Sequence, residues 1–265
     1  MVGTGKVRAT LKNLVLAGVL AALVTGCEPE RSKAPPPTSP SFQSHPDTER
    51  PTPDYEKRAA DMTALLRREG MLESARVSEA IVATPRHLFV PEDQWHLAYT
   101  DMALPIGAGQ TISAPGVVAK MTELLRPQPD DIVLEVGTGS GYQAAVLARL
   151  VKHVYTIEIL CKLADSARER LRKLGYENVT VRCGDGYQGW PEHAPFAGII
   201  VTCAPEHVPQ PLQDQLKEGG RMVIPVGPES GAQRLYLLEK HQGAIVRTAT
   251  LPVIFVPMTG EVQQH

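Results

Sequence analysis

The stretch Glu135-Val136-Gly137-Thr138-Gly139-Ser140-Gly141 follows the apolar run Ile132 to Val136 and leads into the helix-like segment Tyr142 to Leu150. A strand that turns into a helix over three closely spaced glycines leaves few folds open. Glycine reaches backbone conformations that other residues avoid, and without Cβ atoms a ligand can lie against the turn. A dinucleotide fingerprint needs G-x-G-x-x-G, but Tyr142 stands at the third glycine position, and no second glycine-rich turn is present to receive a pyrophosphate. The Lys-Ser/Thr pair of a phosphate-binding P-loop is also missing.

Strand-like and helix-like segments alternate around this turn. Ile132 to Val136, Val154 to Ile157, Val179 to Arg182, Ile199 to Thr202 and Met222 to Val226 read as strands. Between the first of them lie helices from Tyr142 to Leu150 and from Leu160 to Leu174, the second stopped by Gly175. The alternation predicts an α/β fold, a doubly wound and mostly parallel sheet of Rossmann-like type. Arg234 to Leu238 and Val246 to Val256 offer further strands, some antiparallel at an edge. Upstream, Met62, Leu65, Leu66, Met71, Val77, Ala80, Ile81 and Val82 suit two short amphipathic helices, an N-terminal helical cap.

Three acids fall at the carboxyl ends of the first three strands, the edge at which parallel sheets bind ligands. They are Glu135, Glu158 and Asp185, the last within Gly184-Asp185-Gly186. One such acid is commonplace as a cap or turn residue; three beside a glycine turn predict one binding site.

The chain has 265 residues and a formal net charge of -2, with Lys and Arg scattered, so nothing predicts a nucleic-acid partner. Cys27, Cys161, Cys183 and Cys203 form no C-x-x-C pair and have no His at ligand spacing, which predicts neither a metal site nor a disulfide scaffold. Cys183 and Cys203 read as small buried hydrophobes on strands that lie on opposite sides of the first strand, not as thiol nucleophiles served by His193 or His207.

The N-terminus has a separate logic. Lys6, Arg8 and Lys12 precede the apolar run Leu14 to Val24, too short to span a bilayer comfortably, as in an export signal. The run ends in Val24-Thr25-Gly26-Cys27, which resembles a bacterial lipobox, so residues 1–26 are expected to be a cleaved signal peptide and Cys27 the lipidated residue. Residues 27–53, dense in Pro, Ser, Thr and charge, suit an unstructured tether, leaving residues 54–265 as one domain, expected to be monomeric. This places the domain on a membrane, facing the periplasm or the exterior. Translation from a downstream Met such as Met62 is the alternative, and its product would stay cytoplasmic.

The glycine turn resembles the E/D-x-G-x-G-x-G loop of class I methyltransferases, which bind S-adenosylmethionine. The resemblance narrows at Pro85-Arg86-His87-Leu88-Phe89-Val90-Pro91, Leu104-Pro105-Ile106-Gly107 and Gly109-Gln110-Thr111-Ile112-Ser113-Ala114-Pro115. It continues through Gln215-Leu216-Lys217-Glu218-Gly219-Gly220-Arg221 and Ile224-Pro225-Val226-Gly227. In this order the segments resemble the protein-L-isoaspartate O-methyltransferase family over about residues 55–260.

That resemblance implies methyl transfer from S-adenosylmethionine to the α-carboxyl of L-isoaspartyl, and in some members D-aspartyl, residues of damaged proteins or peptides. It implies Ser113 as the active-site residue, with Thr111 and Ile112 beside it on the substrate side. It implies Glu135, Gly137, Thr138, Gly139, Ser140, Gly141, Glu158, Asp185 and Gly186 around the cofactor. The ending Val256-Pro257-Met258-Thr259 resembles the family's V-P-L-T and brings in Thr259 and Gln264. The family's Phe-Asp-Ala before the fourth strand is Phe196-Ala197-Gly198 here, so that Asp has no counterpart. A related carboxyl methyltransferase with another substrate, and a non-catalytic lipoprotein that binds the cofactor, remain the alternatives.

Overall fold

A computed structural model describes residues 54–260. The expected signal peptide, Cys27, the tether and Gln264 lie outside the described residues. Helices α1 (Tyr55–Arg68) and α2 (Ala75–Val82) open the domain. Asp54 caps α1 by accepting from the Lys57 amide at 2.9 Å, and Ser74 caps α2 by accepting from Val77 at 3.3 Å. Their buried stripes, Ala59, Met62 and Leu66, then Val77, Ala80 and Ile81, follow helical spacing and make the expected cap. A hairpin of β1 (Leu104–Gly107) and β2 (Gln110–Ile112) leads into α3 (Pro115–Leu125).

The remaining elements are β3 (Ile132–Val136), α4 (Tyr142–Ala148), β4 (His153–Glu158), α5 (Cys161–Lys173), β5 (Val179–Cys183) and β6 (Phe196–Val201). They continue with α6 (Gln210–Asp214), β7 (Leu216–Val226), β8 (Gln233–His241) and β9 (Ala244–Val253). Among the described residues, β3 to β9 form a seven-stranded sheet in the order β5-β4-β3-β6-β7-β8-β9. The first five strands in that order run parallel, and β8 and β9 add antiparallel at one edge, as the sequence predicts.

The central strands are apolar throughout because both faces are covered. Val133, Val154 and Ile200 pack into one core cluster, while their neighbours Leu134, Ile157, Ile199 and Val201 pack into the other. Strand β7 starts six residues earlier than its apolar run suggests, at Leu216 instead of Met222. Its Pro225 is tolerated because the ladder to β6 ends at Val223, where no further amide is needed on that side. Gly198 has its own explanation: a Cβ there would lie 3.1 Å from Leu125, so the glycine that stands near the family's missing Asp lets the end of α3 press onto β6.

The expectation about the cysteines is overturned. Cys161 and Cys183 form a disulfide, with Cα atoms 5.0 Å apart. Cys183 is therefore a half-buried bridge residue and not a small hydrophobe, and Cys203 is the free cysteine among the described residues. The spacing of the two cysteines concealed the pairing. Cys183 sits opposite Glu158 in the β4–β5 ladder, and Cys161 begins the helix three residues after Glu158. Only the adjacency of those strands brings the sulfurs together.

Candidate active site

A cavity of about 300 Å³ opens at the carboxyl ends of β3, β4 and β6. The turn Gly137 to Ser140, the β4 exit from Glu158 to Leu160, Gly186, and Thr202 with Cys203 line it, and Met258 and Thr259 come from the C-terminal segment. Thr111, Ile112 and Ser113 contribute from β2 and its exit. The expected substrate-side and cofactor-side residues thus share one cavity, with two exceptions.

Gly141 and Asp185 lie outside the lining. Gly141 adopts φ +87° and its missing Cβ would come within 3.1 Å of Leu171, so this glycine seats the turn against α5. Asp185 accepts from the Tyr187 amide at 2.9 Å and abuts Gly260, which makes it the cap of the short turn that follows β5. The other turn glycines also differ from the simplest expectation. Gly137 and Gly139 need their positive φ values of +97° and +52°, and a Cβ on Gly137 would collide with the Thr202 hydroxyl. Close packing of the turn on the β6 exit, as well as room for a ligand, demands glycine here.

The acids are held in different ways. Glu158 is buried, and its carboxylate accepts from the Gly139 amide at 2.8 Å and from the Leu160 amide at 3.0 Å, clamping the two loops that border the cavity. Glu135 is wholly buried. Thr138 and Thr156 are linked hydroxyl to hydroxyl at 2.6 Å, and Thr156 donates to Glu135 Oε2 at 2.5 Å. Glu135 Oε1 has no partner among the described residues. Burial pushes the Glu135 carboxyl up to about 8, and nearby Glu158 adds to the rise against the Thr156 hydrogen bond. Thr156 is a residue that sequence reasoning missed. Its signal was a small aliphatic hydroxyl in the otherwise large-residue run Val154 to Ile157, and the parallel register places it directly beside Glu135.

Ser113 is half-buried and makes no side-chain hydrogen bond with the described residues. It is not the cap of α3, a place taken by Ala114 without a side-chain bond. Its carbonyl accepts from Arg86 Nη2 at 2.7 Å. Arg86 is fully buried and stacks its guanidinium 4.9 Å from the Tyr142 ring centre, and Tyr142 itself lines the cavity. Burial lowers the Arg86 pKa and pushes the Tyr142 phenol up to about 12. Cys203, also in the lining, is held as the neutral thiol, because burial and the two nearby acids push its pKa up. The C-terminal segment is fastened by Ala204, whose amide donates to Val256 and whose carbonyl accepts from Met258, both at 2.8 Å.

A cavity at this edge of such a sheet, with the buried Glu135 Oε1 unpartnered among the described residues and a turn that leaves no room for a side chain at Gly137, fits S-adenosylmethionine, a cationic ligand rich in N–H and O–H donors. Fold and site together define a class I S-adenosylmethionine-dependent methyltransferase. The sequence profile of the protein-L-isoaspartate(D-aspartate) O-methyltransferase family matches residues 57–263. The chain belongs to that family.

It is 58% identical over 186 residues to protein-L-isoaspartate O-methyltransferase 2 of Syntrophobacter fumaroxidans, covering 70% of this chain and 75% of that protein. The enzyme of the same name from a Polaromonas species is also 58% identical, over 70% of this chain and 89% of that one. Among solved structures, a protein-L-isoaspartate O-methyltransferase aligns with a TM-score of 0.69 at 31% identity, over 76% of this chain and 66% of that chain. A beta-aspartate methyltransferase from Plasmodium falciparum, solved with S-adenosyl-L-homocysteine, aligns with a TM-score of 0.67 at 25% identity, over 76% and 98% of the two chains.

Proposed function

We propose that this protein methylates the α-carboxyl of L-isoaspartyl residues in damaged proteins or peptides, starting their repair, and that it works from a membrane anchor. The observation that carries the catalytic part is the meeting of Ser113 with Glu135, Glu158 and the glycine turn in one cavity. When bound, S-adenosylmethionine supplies an electrophilic methyl group on a sulfonium. Gly137, Thr138, Gly139, Ser140, Glu135, Glu158, Gly186 and Thr259 are the residues assigned to holding it. A carboxylate with a pKa near 4 is already ionised at neutral pH, so no strong base is required. The Ser113 hydroxyl donates to one carboxylate oxygen and keeps the other aimed at the methyl; it need not form a covalent bond. Alignment of this kind is the main contribution left for the protein to make.

The test is methyl ester formation on matched isoaspartyl and aspartyl peptides. The isoaspartyl peptide should react and the aspartyl peptide should not, because its α-carboxyl is consumed in the chain. Equal rates would reject the assignment.

The anchor rests on Cys27 and its lipobox-like context, with support from the Cys161–Cys183 disulfide, since disulfides persist mainly in oxidising compartments. Cys27→Ser should move the protein from the membrane fraction to the soluble fraction with unchanged catalytic constants. Membrane association that survives this substitution and a high-salt wash would reject lipidation as the anchor.

A further inference from the structure

The connections that leave β4 and β5 run side by side at the cavity. Ile159 and Leu160 line it from the first and Gly186 from the second, and the Gly184 amide donates to the Glu158 carbonyl at 3.0 Å. Cys161, the first residue of α5, and Cys183, the last of β5, carry the disulfide that joins these connections covalently. The start of α5 has no side-chain cap, so the bridge holds its first turn. The residue before Cys161 is Leu160, whose amide orients the Glu158 carboxylate. That carboxylate in turn holds the Gly139 amide of the glycine turn. Further along, α5 is anchored independently by buried Ala164, Ala167 and Leu171.

We propose that the Cys161–Cys183 disulfide is a positioning element for the cofactor, one that ties cofactor affinity to the oxidation state of the protein. The inference rests on assigning the cavity to S-adenosylmethionine. With the bridge closed, Ile159, Leu160 and the Glu158 carboxylate are fixed in the geometry described. Opening it frees the first turn of α5 while the buried residues keep the helix in place. The residues assigned to the peptide, Thr111 to Ser113, sit on β2 and its exit and are not joined to the bridge.

Reduction by a dithiol breaks the S–S bond and leaves a thiol on each cysteine, while the reductant's own two thiols close into a disulfide; two electrons and two protons are transferred. Cys161 is exposed, so a small thiol reaches the bridge from solvent. An exported chain would be oxidised and competent, and a copy retained in a reducing compartment would bind the cofactor weakly.

The experiment titrates the full-length chain with S-adenosyl-L-homocysteine by calorimetry, oxidised and after dithiothreitol, beside the double variant Cys161→Ser/Cys183→Ser. Peptide mapping of the oxidised protein should first find the Cys161 and Cys183 peptides linked. Reduction should then raise Kd by about fivefold or more. The double variant should match the reduced protein and ignore the reductant, which excludes Cys27 and Cys203 as the source. The KM for cofactor should rise in parallel while the KM for an isoaspartyl peptide stays nearly constant. A Kd that does not move on reduction, a double variant that still responds, or the absence of the linked peptides overturns the inference. The reduced wild type gives the same reading without any substitution, so a poorly folding variant leaves the test intact. No saturable binding by the oxidised protein would reject the cavity assignment itself and this inference with it.

Discussion

Arg86, buried in the N-terminal region, reaches across to donate a 2.7 Å hydrogen bond to the carbonyl of Ser113. The same nitrogen lies 3.4 Å from the Met102 carbonyl. A buried guanidinium is costly to desolvate, and its retention at this place ties the Ser113 backbone to the core behind it. Lysine would keep the charge but lose the planar fork and the stacking on Tyr142. Arg86→Lys should therefore reduce kcat/KM for the isoaspartyl peptide by roughly tenfold or more, the scale of a lost hydrogen bond to a charged group. Cofactor affinity should fall far less. Steady-state kinetics with each substrate varied in turn checks this, and equal losses on both sides would refute a role centred on Ser113.

Ser113→Ala separates orientation from cofactor binding. The hydroxyl has no partner among the described residues, so its removal leaves no buried group unsatisfied and should barely change stability. Methylation of the isoaspartyl peptide should drop by about tenfold to a hundredfold if the bond to the carboxylate is made in the transition state. Calorimetry with S-adenosyl-L-homocysteine should return nearly the wild-type Kd. An unaffected rate would remove Ser113 from the reaction without disturbing the fold assignment.

The Glu135 carboxyl, raised to about 8 by burial, is protonated at neutral pH in the ligand-free protein. An acid whose pKa is raised on folding contributes full stability below its unfolded value, near 4.5, and loses it progressively as pH rises through 8. Glu135→Gln mimics the protonated form, so it should match wild type near pH 5 and exceed it near pH 9 by up to about a few kcal/mol. Denaturant melts at the two pH values provide the comparison. A cationic cofactor beside Oε1 favours the ionised form, so binding at pH 7 should release up to about one proton, and almost none at pH 9. Titrations in buffers of different ionisation enthalpy would detect it, and pH-independent proton release would contradict the assignment.

Gly139→Val should abolish cofactor binding. Gly139 has φ +52°, a conformation that a β-branched residue adopts only with strain of about 1–3 kcal/mol, and its amide holds Glu158. A Cβ there already stands 3.4 Å from Ile106, and the added methyls would crowd the lining further. Binding within twofold of wild type would sink the assignment of this turn.

What the sequence determined by itself is local or periodic. Three glycines after an apolar run, acids at strand ends and strands alternating with helices each depend on a few consecutive residues, so the doubly wound sheet, the antiparallel edge and the binding turn were legible. The two N-terminal helices were legible for the same reason, since their apolar residues recur at helical spacing, while their caps at Asp54 and Ser74 became visible only in the structure. Tertiary structure decided the pairings between distant segments. Strand order put Cys183 beside the start of α5, and register put Thr156 beside Glu135. The fold of the N-terminal region carried Arg86 to Ser113. It also packed Gly141 against α5 and made Asp185 accept from the Tyr187 amide of the turn that follows β5. A motif states which residue types a strand end can carry, but the direction each side chain takes depends on which helix or loop packs over it. That is settled only when the whole sheet has closed around its core.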